Sequence, residues 1–175
     1  MNHITIRAAG IDDCETLAAM IGALLTEHAT AVPDDLAAAL CRDGFGATPR
    51  FEALIAMRRG ESLAMTLYYP VYRPSLRGHG LFMEDRYVRS QARRLGIGRA
   101  LMSRLARLAK SRGCVYIEWC VEARNQAAGK FYAAAGADRD EGMVVCQIKG
   151  AALDALALDA LALYTMANEE GSGGC

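Results

Sequence analysis

Apolar and polar positions alternate over His3-Ile4-Thr5-Ile6-Arg7, and the β-branched residues there predict a strand. The period then changes. Leu17, Met20, Ile21, Leu24 and Leu25 recur at helical spacing, with Asp12 or Asp13 placed to cap the helix and Glu15 in its first turn. Pro33-Asp34-Asp35 opens a second helix through Leu36 and Leu40, which Gly44 and Gly46 end. Phe51 to Met57 and Ser62 to Tyr69 read as two strands joined through Arg58-Arg59-Gly60-Glu61, an antiparallel hairpin. Pro70, Pro74, Gly78 and Gly80 predict a loop, and Leu81 to Val88 a further strand.

A helix beginning near Gly96 buries Ile97, Leu101, Leu105 and Leu108, exposes Arg99, Arg104, Arg107 and Lys110, and ends at Gly113. Val115 to Val121 is predicted as a buried strand carrying the single tryptophan, Trp119. A short helix from about Asn125 to Ala135, stopped by Gly136, and a last strand from Met143 to Ile148 complete the pattern. The Ala/Leu-rich stretch after Gly150 fits a helix or a helix with a strand, and the final Gly-Ser-Gly-Gly-Cys a flexible tail. With no repeat and no dividing linker, the order predicts a mixed α/β fold in one domain over 1–170, with 171–175 as the tail.

Composition narrows the function classes. At 175 residues and 53% hydrophobic, the chain can bury a substantial core and is not of a disordered kind. Lys plus Arg and Asp plus Glu balance at 20 each, so no global field points to nucleic acid or an anionic membrane. Locally, Arg86, Arg89, Arg93, Arg94, Arg99, Arg104 and Arg107 crowd one stretch, which points to a compact anionic ligand. MNHITIRAAG lacks a signal-type apolar core, and no run approaches the roughly 20 apolar residues of a membrane span. The six cysteines lie apart with no C-x-x-C pair, and the three histidines are scattered. Reduced, buried thiols in the cytoplasm, and no metal site, are the expectation.

The chemistry concentrates in Arg93-Arg94-Leu95-Gly96-Ile97-Gly98-Arg99, between a predicted strand and helix. Two glycines let backbone approach a ligand, and the N–H groups and partial positive charge of a helix start suit a pyrophosphate. A common Gly-x-Gly turn, with arginines coating a solvated helix, is the alternative reading of these residues alone. The P-loop ending is missing, since Arg99-Ala100 follows Gly98, and Leu101 stands where a dinucleotide fingerprint needs glycine.

Arg93-x-x-Gly96-x-Gly98 resembles the Q/R-x-x-G-x-G/A acetyl-CoA signature of the GNAT acetyltransferase superfamily. Met83-Glu84-Asp85-Arg86-Tyr87-Val88 before it, Glu118 to Asn125 after it, and the Lys130 to Ala137 ending are similar to the family's neighbouring segments. The run Leu67 to Tyr72, the Glu84-Asp85 pair and the Asn125 to Ala137 segment most resemble the diamine (spermidine/spermine) N-acetyltransferase subgroup. The resemblance implies a mostly antiparallel central sheet with flanking helices and a splayed central strand pair holding acetyl-CoA.

It further implies direct attack of a primary amine of a small molecule on the thioester, with no metal, and a homodimer. By that resemblance Glu84 is the base, Tyr132 protonates the leaving thiolate, and the Val88 amide stabilises the thioester oxygen, with Arg86 and Tyr87 close by. Arg93 and the amides of Arg94, Leu95, Gly96, Ile97, Gly98 and Arg99 take the pyrophosphate, and Asn125 and Ala128 the pantetheine arm. Tyr72, Arg73, Glu84 and Asp85 face the amine. Glu84 as a structural carboxylate, Asn125 as a plain helix cap and Tyr132 as a core aromatic are the alternative readings of those residues.

Arg73 and Arg77 stand where the diamine subgroup has an acidic residue and an aromatic, so the expected acceptor is an amino acid or monoamine before a polyamine. A protein N-terminus, a lysine side chain or an aminoglycoside as acceptor, and a non-catalytic acyl-CoA-binding module, are the competing functions.

Overall fold

In the computed structural model of the chain, residues 3–158 are described. The chain divides into two compact units, Met1–Gly136 and Ala137–Cys175. In the first, five strands form one sheet in chain order: β1 (Thr5–Ala8), β2 (Glu52–Arg58), β3 (Glu61–Arg73), β4 (Gly78–Val88) and β5 (Tyr116–Glu118). The first four pair antiparallel and β5 joins β4 in parallel. Helices α1 (Cys14–Glu27), α2 (Leu36–Phe45), α3 (Ile97–Ser111) and α4 (Gln126–Ala133) flank this mixed, mostly antiparallel sheet, as expected.

Ala53 to Ala56 of β2 are all buried, which a strand achieves when both of its faces are covered. Leu17, Met20 and Ile21 of α1 meet Ala53, Ile55, Met65 and Leu67 in one core cluster. Ile97, Leu101, Leu105 and Ala109 form the buried stripe of α3, with Leu108 left half-buried. Asp13 does not cap α1 with its side chain. It is buried instead, accepting from Arg7 at 2.6 and 2.7 Å and from the Gly10 amide at 2.8 Å.

Four expectations are corrected. The loop predicted at Pro70 is strand: β3 runs to Arg73 and turns through Pro74–Arg77 into β4, which starts at Gly78. Beyond Tyr68, β3 has lost β2 as a partner, and a proline is tolerated along that free edge. The buried strand over Val115 to Val121 contracts to Tyr116–Glu118, because only Gly80, Leu81 and Phe82 of β4 pair with it; Val115 is 61% exposed.

The strand predicted over Met143 to Ile148 is absent. In the second unit, residues 137–149 carry no regular structure, Val144 is 83% exposed, and 151–158 are helical. An apolar β-branched run becomes a strand only where a ladder partner satisfies its backbone, and none pairs with it among the described residues. The predicted tail lies outside the described residues. Finally, Cys14 and Cys41 are not reduced thiols but a disulfide between α1 and α2, and Cys120 and Cys146 are exposed where buried thiols were expected. A separation of 27 residues concealed the pair.

Candidate active site

The two strands at the end of the sheet order stay together for only three residue pairs, Gly80–Tyr116, Leu81–Ile117 and Phe82–Glu118. Beyond Phe82, β4 continues alone while the chain after Glu118 leaves it. This splay opens a cavity of about 400 Å³ lined by Met83, Glu84, Asp85 and Arg86 on one side and by Trp119 to Glu122 on the other. Leu24 and His28 at the end of α1 and Asn125, Ala128 and Tyr132 of the α4 segment complete the wall. A space of this size suits one small ligand or the reactive arm of a larger one.

A β-bulge decides which side chains of β4 enter it. Leu67 pairs with Asp85 but the next residue, Tyr68, pairs with Met83, so Glu84 is the extra residue. In a regular strand Glu84 and Asp85 would point to opposite faces; the bulge lets both line the cavity. Glu84 is exposed and accepts a hydrogen bond from the Tyr69 hydroxyl at 2.7 Å. Burial, and then the charge of Glu84, push the Asp85 carboxyl up to about 6, with His28 opposing. Burial and the bond to Glu84 drive the Tyr69 phenol well above its ordinary value.

On the other wall, Tyr132 is buried, its ring 4.7 Å from that of Trp119 and 5.3 Å from that of Phe131. Arg86 donates through Nε to the Tyr132 hydroxyl at 3.3 Å, and its guanidinium lies 4.4 Å from the Phe131 ring centre. Asn125 caps α4, accepting from the Ala128 amide at 3.0 Å. Both readings of Asn125 are therefore compatible: it is a cap, and it lines the cavity with Ala128 and Tyr132 at positions that share a helix face.

The segment Arg93 to Arg99, expected to take the pyrophosphate, leads into α3. Arg94 and Gly96 adopt left-handed backbone, at φ 63° and 77°, and turn the chain into α3. No side chain caps the first turn of α3, and a Cβ built on Gly96 meets nothing within 4 Å. Helix-start N–H groups without a side-chain cap, beside Arg94 and Arg99, fit a pyrophosphate. Arg93 is tied down by Glu27 of α1, by the Val88 carbonyl through Nε at 3.0 Å, and against the Tyr87 ring. Arg89 sends its amide to Leu63 across the ladder, so by strand alternation the Val88 amide faces the unpaired side of β4.

Two predicted acceptor residues lie elsewhere. Tyr72 is 65% exposed, and Arg73 is held by Glu118 at 2.5 Å and packs over Tyr116; neither lines the cavity. The pairing of Arg73 with Glu118 neutralises one of the two cations on which the preference against polyamines leans; Arg77, the other, is exposed. Leu24, His28, Trp119, Cys120, Val121 and Glu122 enter the wall without having been singled out for it. The four-residue spacing of Leu24 and His28 and the exit of the chain from β5 were the available signals.

A family model described as the acetyltransferase (GNAT) family matches residues 17–137. The chain belongs to the GNAT acetyltransferase family. Its relatives include the mouse thialysine N-epsilon-acetyltransferase, 31% identical over 90% of this chain and 99% of that protein. The human spermidine/spermine N(1)-acetyltransferase-like protein 1 is 32% identical over 78% of this chain. The chain spans only about a fifth (21%) of that human protein.

Among solved structures, an integron cassette protein from the mobile metagenome of V. cholerae superposes with TM-score 0.77 at 27% identity, over 88% of this chain and 97% of that one. The aminoglycoside N-acetyltransferase AAC(6')-Iy in complex with CoA does so with TM-score 0.71 at 19% identity, over 86% and 97%, a likeness of fold. The expected family, diamine-type kinship, fold class and enzyme class are thereby met. The GNAT family's acyl donor is acetyl-CoA.

Proposed function

We propose that the protein transfers the acetyl group of acetyl-CoA to a primary amine on a small cationic molecule: a diamine, or a basic amino acid through its side-chain amine. The observation that carries this reading is the bulge that brings Glu84 and Asp85 into the same cavity as Tyr132. Glu122 of the wall is paired with Arg124 and lies beside His28, which leaves the two carboxylates Glu84 and Asp85 against Arg86 as acceptors for an ammonium. Relatives named for spermidine/spermine, thialysine and, in Arabidopsis thaliana, L-ornithine support the same class.

Bound at the loop before α3, acetyl-CoA supplies the activated acyl carbon. Arg94 to Arg99 hold its pyrophosphate through their amides, Asn125 and Ala128 flank the pantetheine arm, and Tyr87 supports Arg93 at the loop entrance. The Glu84–Asp85 pair takes the proton from the acceptor ammonium, whose free pKa is near 10. Asp85 near 6 is ionised at neutral pH and still basic enough to act. The Val88 amide donates to the thioester oxygen as charge gathers there. Tyr132 gives its proton to the departing sulfur. A cytoplasmic homodimer belongs to this reading on the strength of the resemblance alone.

The test is CoA release from acetyl-CoA over thialysine, ornithine, spermidine, putrescine, a monoamine and an aminoglycoside. We expect turnover of the first four above the others, with Asp85→Asn and Tyr132→Phe each lowering kcat by about 100-fold. Tight acetyl-CoA binding without turnover of any amine in the panel would sink the reading in favour of a protein acceptor or a binding module.

A further inference from the structure

Most arginines with a close polar partner in this protein face a carboxylate: Arg7 with Asp13, Arg42 with Asp43, Arg73 with Glu118, Arg93 with Glu27, Arg112 with Glu52, Arg124 with Glu122. Arg86 is built differently. Among the described residues it makes no ion pair; its guanidinium lies 4.4 Å from the Phe131 ring centre and 5.2 Å from that of Tyr132. Its Nε points at the Tyr132 oxygen at 3.3 Å. Glycine at 98 leaves room for it where it stands: a Cβ there would lie 2.7 Å from Arg86 Nη1, and the guanidinium would have to shift.

A guanidinium has donors only, so it engages a phenol through the oxygen and leaves the phenol's own proton to point elsewhere. Tyr132 lines the cavity on its remaining side. We propose that Arg86 is a positioning residue for acyl transfer, which turns the Tyr132 proton toward the departing sulfur and stabilises the phenolate left behind. This rests on the reading of Tyr132 as the acid. In the step, the Tyr132 O–H bond breaks and an S–H bond forms. The electron pair stays on the phenolate oxygen against the Arg86 cation, and solvent returns the proton after the products leave. The glycine at 98 then serves two ends, backbone approach to pyrophosphate and room for Arg86.

The experiment compares Arg86→Met, Tyr132→Phe and the double variant with the wild type. It reads kcat and KM over pH, and the titration of the Tyr132 ring by NMR of ¹³Cζ-labelled tyrosine without acetyl-CoA. Tyr132→Phe assigns the resonance. We expect Arg86→Met to lower kcat about 10- to 100-fold while KM for acetyl-CoA stays within about threefold. The Tyr132 resonance and the alkaline limb of kcat should move to higher pH together, because the phenolate has lost its cation. In the Tyr132→Phe background the same change should cost almost nothing more.

A raised KM for acetyl-CoA with kcat and the Tyr132 titration unmoved overturns the proposal and makes Arg86 a coenzyme ligand. Slow Tyr132→Phe with silent Arg86→Met refutes the pairing alone; full activity in Tyr132→Phe refutes the acid reading, and the pairing with it. Arg86→Gln, which keeps an unbranched polar stem and loses the charge, carries the same comparison where Arg86→Met does not fold.

Discussion

Asp85 and Glu84 stand in one cavity, and their neighbouring charges and different burial separate their chemistry. Asp85 is the more enclosed, and a carboxyl raised to about 6 by burial and by Glu84 is one that folding holds partly protonated. As the base must be ionised, kcat/KM should rise with pH through about 6 and flatten above it, the limb belonging to the coupled pair. Stability runs the other way. The folded value lies above the unfolded one, so the contribution is full below about 4 and is lost as pH rises through about 6. Asp85→Asn should therefore raise stability at pH 8 by about 1–2 kcal/mol, the solvent-discounted part of a gap worth at most about 3, and should not raise it at pH 4. Urea unfolding at both values checks this; equal gains at the two would refute it. Arg7 and Asp13 give the opposite case. Arg7 holds the buried Asp13 carboxyl low, and Arg7→Ala should cost about 1–3 kcal/mol at pH 7, with less lost in acid. The sequence displayed the carboxylate pair at 84 and 85 but not which of them is enclosed, since burial is set by residues distant in the chain.

At the scale of elements, spacing was a good guide wherever one element's own period decided its state. The α1 and α3 stripes and the hairpin at Arg58 to Glu61 needed nothing beyond themselves. Arg59 and Gly60 take positive φ there, as a two-residue turn between twisted strands requires. Where a partner decides, the pattern misled. Pro70 survives inside β3 because β2 has already ended, and Val115 to Val121 shrinks to three paired residues because β4 and the chain part at Glu118. That parting opens the candidate site, so β5 carries more of the proposed function than its length implies. The Cys14–Cys41 bond belongs to this scale as well, joining α1 to α2 at a Cα separation of 5.5 Å. Closing a loop of that size stabilises by about 3.5 kcal/mol on chain-entropy grounds. Two fewer thiols should titrate in denaturant without reductant than with it, and Cys14→Ser should lower the unfolding free energy by about 2–4 kcal/mol. An equal thiol count under both conditions would show the pair reduced in solution.

For the molecule as a whole, the phosphate loop, the splay and the α1 wall share one consequence. Arg93 belongs to the loop proposed to face the ligand, yet its side chain is anchored to Glu27 at the end of α1 and to the Val88 carbonyl on β4. Leu24 and His28, on the same end of α1, form part of the cavity wall. A ligand that binds the folded state alone adds RT ln(1 + [L]/Kd), about 2.7 kcal/mol at a hundredfold excess over Kd. CoA should raise the unfolding free energy by that increment, seen as a higher thermal midpoint, in the wild type and, unchanged, in Arg7→Ala, whose lesion lies outside the cavity. Gly96→Ala puts a Cβ on left-handed backbone, at a cost of about 1 kcal/mol, and should lose part of the CoA increment besides. Glu27→Ala separates two roles of Arg93. If Arg93 acts mainly as a strut, releasing it loosens the loop, and the CoA increment falls while bound CoA becomes no more sensitive to salt. If Arg93 acts mainly as a phosphate ligand restrained by Glu27, the increment grows and salt erodes it faster. The anchoring at both Glu27 and Val88 favours the strut, so we expect the smaller increment, read by calorimetry at two ionic strengths.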